Sequence, residues 1–575
     1  MEHPRQVNLV MCWHMHQPDY RDHLSGDFVL PWTYLHAIKD YTDMVWHLEQ
    51  HKEARAVFNF VPVLLDQIEA YAQGFAAGKV PDPLLRLLIK HDFDQLTLAE
   101  RQLILDSCFR CNHSTMIHPF LPYSRLHDLY TTLEQQGHGR LMYLSDQYYA
   151  DLLVWYHLVW TGETIRRENP LIIELMSKGE HFSVHDRSAL FDLIGQVLSS
   201  IVPRYKKLAQ QGRIELSSTP YHHPLSPLLI DFNSAREAVP DMPLPDAHVY
   251  PGGRNRVTRH IITALQAHAQ RFGELPNGMW PAEGGVSDAV IDLMASQNLS
   301  WAATGETVLA NSIRKASPDG ALPDRMRYLY RPYRVGSRSG GMSVFFRDDR
   351  LSDFIGFEYA KWHGRDAVNH FIGELKNILH HTPKDEMPIV SIIMDGENAW
   401  EYYPYNGFYF LSGLYEAMAA DPEIRLLTFS EYLNQCGTQK GQQCAYAGEL
   451  PSLVAGSWVY GTFSTWIGER DKNRAWDMLC AAKQSFDLVV ASRRLTETEI
   501  AAAEAQLSVC ESSDWFWWFG DYNPSLSVKS FDQLFRQNLS NLYRLLKLPI
   551  PDQLQQTISH GGGYAETGGV MRRGS

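Results

Sequence analysis

The sequence has no apolar stretch long enough for a membrane helix. Its longest apolar runs are far shorter than the roughly 20 residues needed to cross a bilayer. The apolar stretch nearest the amino terminus, residues 7–13, is too short for a signal-peptide core and is followed by no small-residue cleavage site. We therefore expect a protein that does not span a membrane and that acts in the cytoplasm.

Positive charge is also in short supply. The chain carries 52 Lys and Arg against 66 Asp and Glu, a net charge of −14. A protein that binds nucleic acid needs a basic face to neutralise phosphates. The balance therefore argues against a nucleic-acid partner and suits a neutral substrate.

Cysteine is scarce, and the seven residues are an odd number. This fits free thiols better than a disulfide framework. Cys108 and Cys111 form one C-x-x-C pair, followed by His113 and His118. A zinc site there stays an alternative, although no second C-x-x-C pair exists to complete it.

Aromatic residues are abundant, with 15 Trp, 28 Tyr and 25 Phe. A large packed interior would explain them. A sugar-binding cleft would also need them, because the C–H faces of a pyranose ring stack on aromatic rings. Both explanations stay open at this point.

Short apolar runs alternate with long helical stretches. The runs are bounded by Gly, Pro or polar turns, as is typical of buried parallel strands. They lie at residues 7–12, 56–60, 214–218, 277–280, 300–304, 343–346 and 388–394, with a further candidate at 424–429. Helical stretches at 33–50, 188–210, 256–271 and 366–381 lie between them. The alternation predicts an α/β protein with a (β/α)7 barrel, a distorted relative of the TIM barrel.

The pattern divides the chain into three regions. We expect a barrel domain over residues 1–435 with a helical insertion around 71–202, a helical domain over 436–560 that caps the cleft, and a disordered tail over 561–575. Amphipathic helices are predicted at 471–492, 496–507 and 530–546. The tail has six glycines and no apolar periodicity.

Polar residues are concentrated after four of the predicted strands. Barrel enzymes carry their chemistry at these carboxyl-terminal strand ends. The four segments are 13–19, 218–224, 280–285 and 395–398. Two of them supply the carboxylates Glu283 and Asp395, and glycoside hydrolysis needs such a pair beside the anomeric carbon.

Each carboxylate also has a structural explanation. Glu283 precedes a predicted helix whose dipole favours a negative charge, and Asp395 could be an ordinary turn residue before Gly396. Together with the nearby histidines, the pair favours catalysis. In a retaining enzyme the two carboxyl groups should lie roughly 5–5.5 Å apart.

The histidines allow two interpretations. His14 and His16 after a first barrel strand resemble the metal-binding start of amidohydrolases, with His222, His223 and Asp395 as further ligands. In a sugar site, neutral histidines would instead donate hydrogen bonds to hydroxyl groups. The metal interpretation leaves Glu283 unexplained, so we expect no metal and no cofactor.

Trp458 and Trp466 lie in a turn-rich segment flanked by glycines. Core packing would explain them. Alternatively, the segment folds over the barrel mouth, and the two rings form sugar subsites. The aromatic segment 514–520 has a similar composition, and we predict that it belongs to the core.

These residues together resemble the family-57 glycoside hydrolases over roughly residues 7–545. Five short regions carry the resemblance, at 16–18, 215–229, 278–283, 395–398 and 464–469. It implies a seven-stranded barrel with a following helical domain, and retention of anomeric configuration. It further implies Glu283 as nucleophile, Asp395 as acid/base, and His16, His223 and Trp466 as sugar contacts. We add His14, Trp32, Trp280 and Trp458 as candidate substrate-binding residues.

The family includes α-amylases, amylopullulanases, 4-α-glucanotransferases, branching enzymes and α-galactosidases. Residues 19–22 and 30–32 look most like the amylase and amylopullulanase group, whereas branching enzymes usually read His-Leu-Pro-Tyr in the first region. Pro281 and Ala282 before Glu283 depart from the pattern of some members, as does the lack of an acidic residue in 459–463.

We therefore expect α-amylase-like cleavage of an α-1,4-glucan or maltooligosaccharide. The alternatives are glucanotransfer as the main activity, a metal-dependent amidohydrolase or deacetylase, and a catalytically silent glycan-binding protein. The sequence leaves the linkage, the chain length and the oligomeric state open.

Overall fold

The computed structural model describes residues 5–336, 341–436 and 447–562. Within them, ten strands form one sheet. The strands are β1 (Val7–Met15), β2 (Ala56–Phe60), β3 (Ile214–Ser218), β4 (Gly278–Met279), β5 (Trp301–Thr304), β6 (Tyr333–Val335), β7 (Met342–Phe346), β8 (Ile389–Asp395), β9 (Ile424–Leu426) and β10 (Gly448–Leu450).

Seven of these strands form the barrel. They are parallel neighbours in the order β8, β1, β2, β3, β4, β5 and β7. A parallel bridge between Arg347 and Ser391 brings the end of β7 to β8, so that the row curls into a ring. The predicted (β/α)7 architecture is therefore confirmed. β6 pairs antiparallel with β7, β10 extends β6, and β9 pairs with the first residues of β1.

The strands are almost entirely buried, which explains why they read as apolar runs. β1 runs to Met15, three residues beyond the predicted end, because residues 12–15 pair with β2. β4 is the shortest strand of the ring, with only two residues. Gly278 is required there, because a Cβ atom at this position would lie 1.9 Å from the Trp301 ring.

Helices cover the outer face of the ring. The helices that correspond to predicted ones are Trp32–His36 and Thr42–Gln50, joined by a π-helical turn at Ala37–Tyr41, then Val184–Gln210, Gly253–Phe272 and Gly364–His381. Other helices that follow strands are Pro62–Ala76, Ser226–Ile230, Ser234–Ala238, Asp288–Ser296, Glu306–Ala316, Arg325–Tyr328, Asp349–Asp353, Phe408–Ala420 and Phe429–Gln435.

Between β2 and β3 the described chain contains helices and no strand, as predicted for the insertion. These helices are Pro83–Leu88, Leu98–Ser107, Leu121–Gln135, Asp146–Val159, Glu163–Glu168 and Pro170–Lys178. Local sequence sets several helix starts. Capping boxes, in which a Ser or Thr and an acidic residue three positions later bond each other's backbone, begin the helices at Leu98, Val184 and Phe429.

After β10 the described chain runs through turns to residue 469 and is mainly helical from there on. The helices are Arg470–Ala491, Glu497–Cys510, Asp514–Trp518 and Ser525–Leu545. The proposed division into a barrel domain and a capping domain stays a prediction. Of the predicted tail, residues 563–575 lie outside the described part. No helix in the described ranges is long and apolar enough to cross a membrane.

Candidate active site

One cavity of about 510 Å³ opens at the carboxyl-terminal ends of the barrel strands. Residues from the barrel, the insertion and the helical region all line it. The barrel contributes His14, His16, His223, Glu283, Arg347, Asp395, Glu397 and Asn398; the insertion contributes Phe109, Arg110 and Tyr130; and the later segments contribute Trp458, Asp514, Trp517 and Trp518. The two predicted catalytic carboxyl groups therefore face the same space.

Glu283 sits in a strained backbone turn. Its φ of 58° is left-handed, a conformation that costs a non-glycine residue about 1–3 kcal/mol. Two bonds hold the turn: the Trp458 backbone N–H donates to the Glu283 carbonyl at 3.2 Å, and the Thr304 hydroxyl donates to the Gly284 carbonyl at 2.5 Å. The turn directs the carboxyl group into the cavity, where it stays almost fully buried.

The carboxyl group of Glu283 has two hydrogen-bond partners. The Ser513 hydroxyl lies 3.0 Å from Oε1, and the Trp458 indole N–H donates to Oε2 at 3.3 Å. His223 Nδ1 lies 3.9 Å from Oε1. Two of these neighbours come from beyond residue 450, so the later part of the chain completes the surroundings of this carboxyl group.

Asp395 is the last residue of β8 and pairs in register with His14. The Asn398 side-chain amide donates to Asp395 Oδ2 at 2.9 Å. The Arg347 guanidinium nearby is held by Asp349 and Asp353, each at 2.8 Å, and its positive charge acts on Asp395. Asp395 is thus oriented by an amide and lies within the field of a fixed cation.

Both carboxyl groups are harder to ionise than in water. Burial, with the charges of Asp514 and Asp395, raises the pKa of Glu283 to about 8. Burial raises the pKa of Asp395 to about 6, opposed by Asn398 and Arg347. In a retaining mechanism the acid/base residue would have the higher pKa, held up by the charged nucleophile beside it. The order is reversed because Asp395 is near a cation, whereas Glu283 is near two acids.

Three histidines form a compact group beside Glu283. His14 Nδ1 lies 2.7 Å from Asn59 Oδ1, and His14 Nε2 lies 3.2 Å from His223 Nε2. His16 and His223 stack with ring centroids 3.8 Å apart, and His16 Nε2 lies 2.9 Å from Asp514. Burial lowers the pKa of His14 and of His16 to about 3, and that of His223 well below its usual value. The rings are therefore neutral at pH 7.

Among the described residues one group has the arrangement of a metal site, namely His16, His223 and Asp514, whose ligand atoms lie within 4.8 Å of one another. Asp395 and the pair Cys108 and Cys111 are not in that group. Its atoms already bond within the protein, since His16 Nε2 contacts Asp514 and both nitrogens of His223 have partners. These contacts fit a hydrogen-bonded cluster better than a ligand set.

The predicted aromatic subsites divide between the cavity and the core. Trp32 and Trp458 line the cavity, and Trp280 is fully buried behind Trp458 at a centroid distance of 5.3 Å. Trp466 is fully buried and away from the cavity lining, with its carbonyl accepting a bond from Trp476. The structure therefore gives Trp466 a packing position, in contrast to the sugar contact that the resemblance implied.

The segment 514–520 departs from its predicted core position. Asp514, Trp517 and Trp518 line the cavity, whereas Trp515 and Phe516 are fully buried. The reason is the short helix Asp514–Trp518, which places positions i, i+3 and i+4 on one face. Composition alone does not predict which of these residues are buried and which line the cavity, because both faces of the helix are aromatic.

Several residues of the site were not predicted from the sequence. Asn59 could have been recognised, because it is the one polar residue in the apolar strand β2, where it is completely buried. No sequence feature pointed to Arg347 or Ser513, because an Arg after a strand and a Ser in a helical region are common on protein surfaces. Their importance comes from contacts with residues 46 and 230 positions away along the chain, respectively.

A parallel barrel whose cavity holds two carboxyl groups among aromatic rings is typical of a carbohydrate-active enzyme. The chain belongs to glycosyl hydrolase family 57, whose profile matches residues 10–443. A search of curated proteins gives no match.

Solved structures share the fold at low sequence identity. A GH57-type branching enzyme from Pyrococcus horikoshii aligns with a TM-score of 0.57 at 15% identity, covering 94% of this chain and 89% of that one. The α-amylase AmyC from Thermotoga maritima aligns at 0.53 with 14% identity, covering 96% of each chain. A 4-α-glucanotransferase from Thermococcus litoralis aligns at 0.50 with 13% identity, covering 94% of this chain and 60% of that one.

Proposed function

We propose that this family-57 protein cleaves α-1,4-glucans with retention of configuration, with Glu283 as nucleophile and Asp395 as general acid/base. The observation that carries the proposal is the convergence of two carboxyl groups, the buried Glu283 and the half-buried Asp395, on one aromatic cavity. A pair of this kind can form and hydrolyse a glycosyl-enzyme intermediate.

The walls of the cavity suit a neutral glucan. Trp458 lies beside Glu283, and Trp517 and Trp518 line the same cavity, so they present ring faces on which pyranoses stack. His16 is neutral, and its Nδ1 has no hydrogen-bond partner in the protein, so it can bond a sugar hydroxyl without a charge. Together with the net charge of −14, this favours a maltooligosaccharide over an anionic substrate.

The reaction would run in two displacements. Asp395 gives its proton to the leaving glycosidic oxygen while the Glu283 carboxylate attacks the anomeric carbon. Asp395 then takes a proton from the acceptor, which displaces Glu283. The raised pKa of Asp395, about 6, supports its role as a proton donor near neutral pH.

The second step admits two acceptors. Water gives hydrolysis, which we place first as an amylase-like activity, and a sugar hydroxyl gives 4-α-glucanotransfer. The fold relatives include enzymes named for both reactions. The candidate substrate contacts are His14, His16, Trp32, His223 and Trp458, with Trp280 supporting Trp458.

Incubating the protein with pure maltoheptaose and resolving the products by length tests the proposal. Products shorter than seven units alone mean hydrolysis, and a ladder above seven means transfer. The matched control is Glu283→Gln, which keeps the shape of the side chain and should form no products. Unchanged maltoheptaose with wild-type protein, or turnover that needs an added metal ion, would refute the proposal.

A cytoplasmic location is part of the proposal. Among the described residues, Cys12, Cys108, Cys111, Cys480 and Cys510 are free thiols. Free thiols suit a reducing compartment.

A further inference from the structure

The proposed mechanism needs an ionised Glu283, but the site opposes this ionisation. Glu283 is buried and lies near two other acids. The Ser513 hydroxyl at 3.0 Å is the first member of a hydrogen-bonded chain that continues to His223, His14 and Asn59. The donor and the acceptor of each hydrogen bond in this chain follow from the partners of Asn59 at its far end.

Asn59 fixes which atoms donate and which accept at this end of the chain. Its side-chain nitrogen lies 2.7 Å from the Ser218 carbonyl, which can only accept, so that atom is the donor. Its oxygen therefore faces His14 Nδ1 at 2.7 Å, and the Thr219 hydroxyl donates to the same oxygen at 2.8 Å. Since an amide oxygen only accepts, His14 must carry its proton on Nδ1.

The proton on His14 Nδ1 in turn determines which nitrogen of His223 carries a proton. His14 is neutral, so its Nε2 has no proton and accepts from His223 Nε2–H at 3.2 Å. A neutral His223 then has a bare Nδ1, which accepts the Ser513 hydroxyl proton at 2.9 Å. The Ser513 backbone N–H also donates to the His223 carbonyl at 2.9 Å, so this residue is held at two points.

With its only proton given to His223, the Ser513 oxygen can only accept from Glu283. The chain therefore favours a protonated Glu283 while both histidines are neutral. An ionised Glu283 needs the Ser513 proton for itself, and His223 Nδ1 must then carry a proton. If His223 stayed neutral, two bare Nε2 atoms would face each other at 3.2 Å between His14 and His223.

We propose that Ser513 is a positioning residue that lets Glu283 ionise by an internal proton shift. This inference rests on the proposed function of Glu283. The Glu283 Oε1 proton moves to Ser513 Oγ while the Ser513 proton moves to His223 Nδ1. Glu283 becomes a carboxylate and His223 an imidazolium, and the total charge does not change.

The surroundings act on the two ends of the shift in opposite directions. Asp514 and Asp395 act on Glu283, and the formation of a cation beside it offsets their repulsion. At His223, burial and His16 oppose the imidazolium, Asp514 favours it and His14 opposes it, so the attraction between the new cation and the Glu283 carboxylate 3.9 Å away must stabilise the charged pair. When Glu283 becomes an ester, the positive charge on His223 is balanced by Asp395, which has given its proton to the leaving group.

The pH dependence of glycosylation tests this inference. Because the shift conserves protons, the wild-type rate with an α-maltosyl fluoride should be nearly flat between pH 5 and pH 7.5. In Ser513→Ala, Glu283 must lose its proton to solvent instead. The rate, kcat/KM, should then be lower at pH 5 and rise about tenfold per pH unit, the dependence expected for one proton.

Two control variants separate the relay from packing. Ser513→Thr keeps the hydroxyl and should restore the flat profile. Ser540→Ala removes a hydroxyl of the same helical region that bonds only a helix carbonyl, and should leave the profile unchanged. A Ser513→Ala profile parallel to wild type would overturn the inference while leaving the proposed function intact. A wild-type rate that rises tenfold per unit would also overturn it.

A second measurement needs no turnover. In the full chain labelled with ¹⁵N-histidine at pH 6.5, His14 should carry its proton on Nδ1 and His223 on Nε2. The signals are identified by their loss in His14→Gln and His223→Gln. A neutral His223 protonated on Nδ1 would overturn the inference even if the protein has a different substrate.

Discussion

At the residue scale, the two carboxyl groups differ most in their neighbours. Glu283 lies near Asp514 and Asp395, whereas Asp395 is within the field of Arg347. Burial raises the pKa of both groups, and because they interact, the pair loses its protons in steps that belong to the pair rather than to either residue. The reaction needs Glu283 ionised while Asp395 still holds its proton, so the surroundings must favour the carboxylate form of Glu283.

Azide should distinguish the two roles. Glu283→Ala should lose on the order of 10⁴- to 10⁶-fold in kcat, because no covalent intermediate can form. With a maltosyl fluoride, azide should partly restore turnover and give a glycosyl azide of inverted configuration. Asp395→Ala should lose less with an aryl glycoside, whose leaving group needs little protonation, and azide should give the retained product. Chromatography and NMR of the products provide the measurement.

Asp106→Ala is the control, since this carboxyl group lines the cavity from the insertion. It should keep most of the activity and show no response to azide. Opposite product configurations would mean that the roles of Glu283 and Asp395 are exchanged. Full activity in both variants would place the catalytic site elsewhere.

At the element scale, a buried ionic cluster fixes the position of the short helix Asp514–Trp518. Glu511 is fully buried and accepts bonds from Arg256 Nε at 2.8 Å, Arg256 Nη2 at 2.7 Å and His260 Nε2 at 2.7 Å. These two partners lie on the helix Gly253–Phe272, which covers the barrel. Glu511 precedes Ser513 by two residues, so the cluster sets where the relay residue meets Glu283.

Replacing Glu511 by Gln should therefore destabilise the protein by about 3–5 kcal/mol, because Arg256 would lose its buried counter-charge. The charges of Arg256 and His260 hold the pKa of Glu511 far below its ordinary value. A carboxyl group with a lowered folded pKa stabilises the fold above its unfolded pKa of about 4. This stabilisation is lost as the pH falls below that value. Urea unfolding at pH 7 and pH 3 measures both effects.

The matched control is Glu504→Gln, which removes a more exposed carboxylate from the same Arg256. Its loss should be about 1 kcal/mol or less, as for exposed ion pairs. Equal losses in both variants would contradict a special anchoring role of Glu511. In Glu511→Gln the difference in stability from wild type should be nearly constant from pH 7 to pH 5 and shrink as the pH falls from 4 to 3.

At the scale of the whole molecule, the cavity is assembled from distant parts of the chain. Trp32 and Arg110 meet on one wall, with the guanidinium 5.0 Å from the ring centroid, while Trp458 and Trp518 come from beyond residue 450. A bound glucan would contact all these parts at once. Ligand binding should therefore stabilise the molecule as a unit.

Maltoheptaose at 100 times its Kd should add about 2.7 kcal/mol to the stability of the Glu283→Gln variant, which cannot consume it. Calorimetry should show one transition that moves to higher temperature. Cellohexaose, with β-linkages, is the control and should leave the transition unchanged. Two transitions, of which maltoheptaose moves only one, would mean that the ligand contacts a single part of the molecule.

The sequence by itself determined the barrel. Buried parallel strands are largely apolar, so a run such as Ala56–Phe60 was predictable to the residue. It also determined which carboxyl groups face the cavity, because strand ends in a barrel point to one opening. Local periodicity was sufficient in the same way for long helices such as Gly253–Phe272.

Only the tertiary structure decided how the site is completed and charged. Trp466 and Trp518 have the same residue type and similar surroundings in sequence, yet one lies in the core and the other lines the cavity. The bond between Ser513 and Glu283 joins residues 230 positions apart, and no local pattern encodes it. The pKa order of Glu283 and Asp395 follows from such long-range neighbours. Electrostatic energies depend on distance and burial in the folded state, which the order of residues along the chain does not specify.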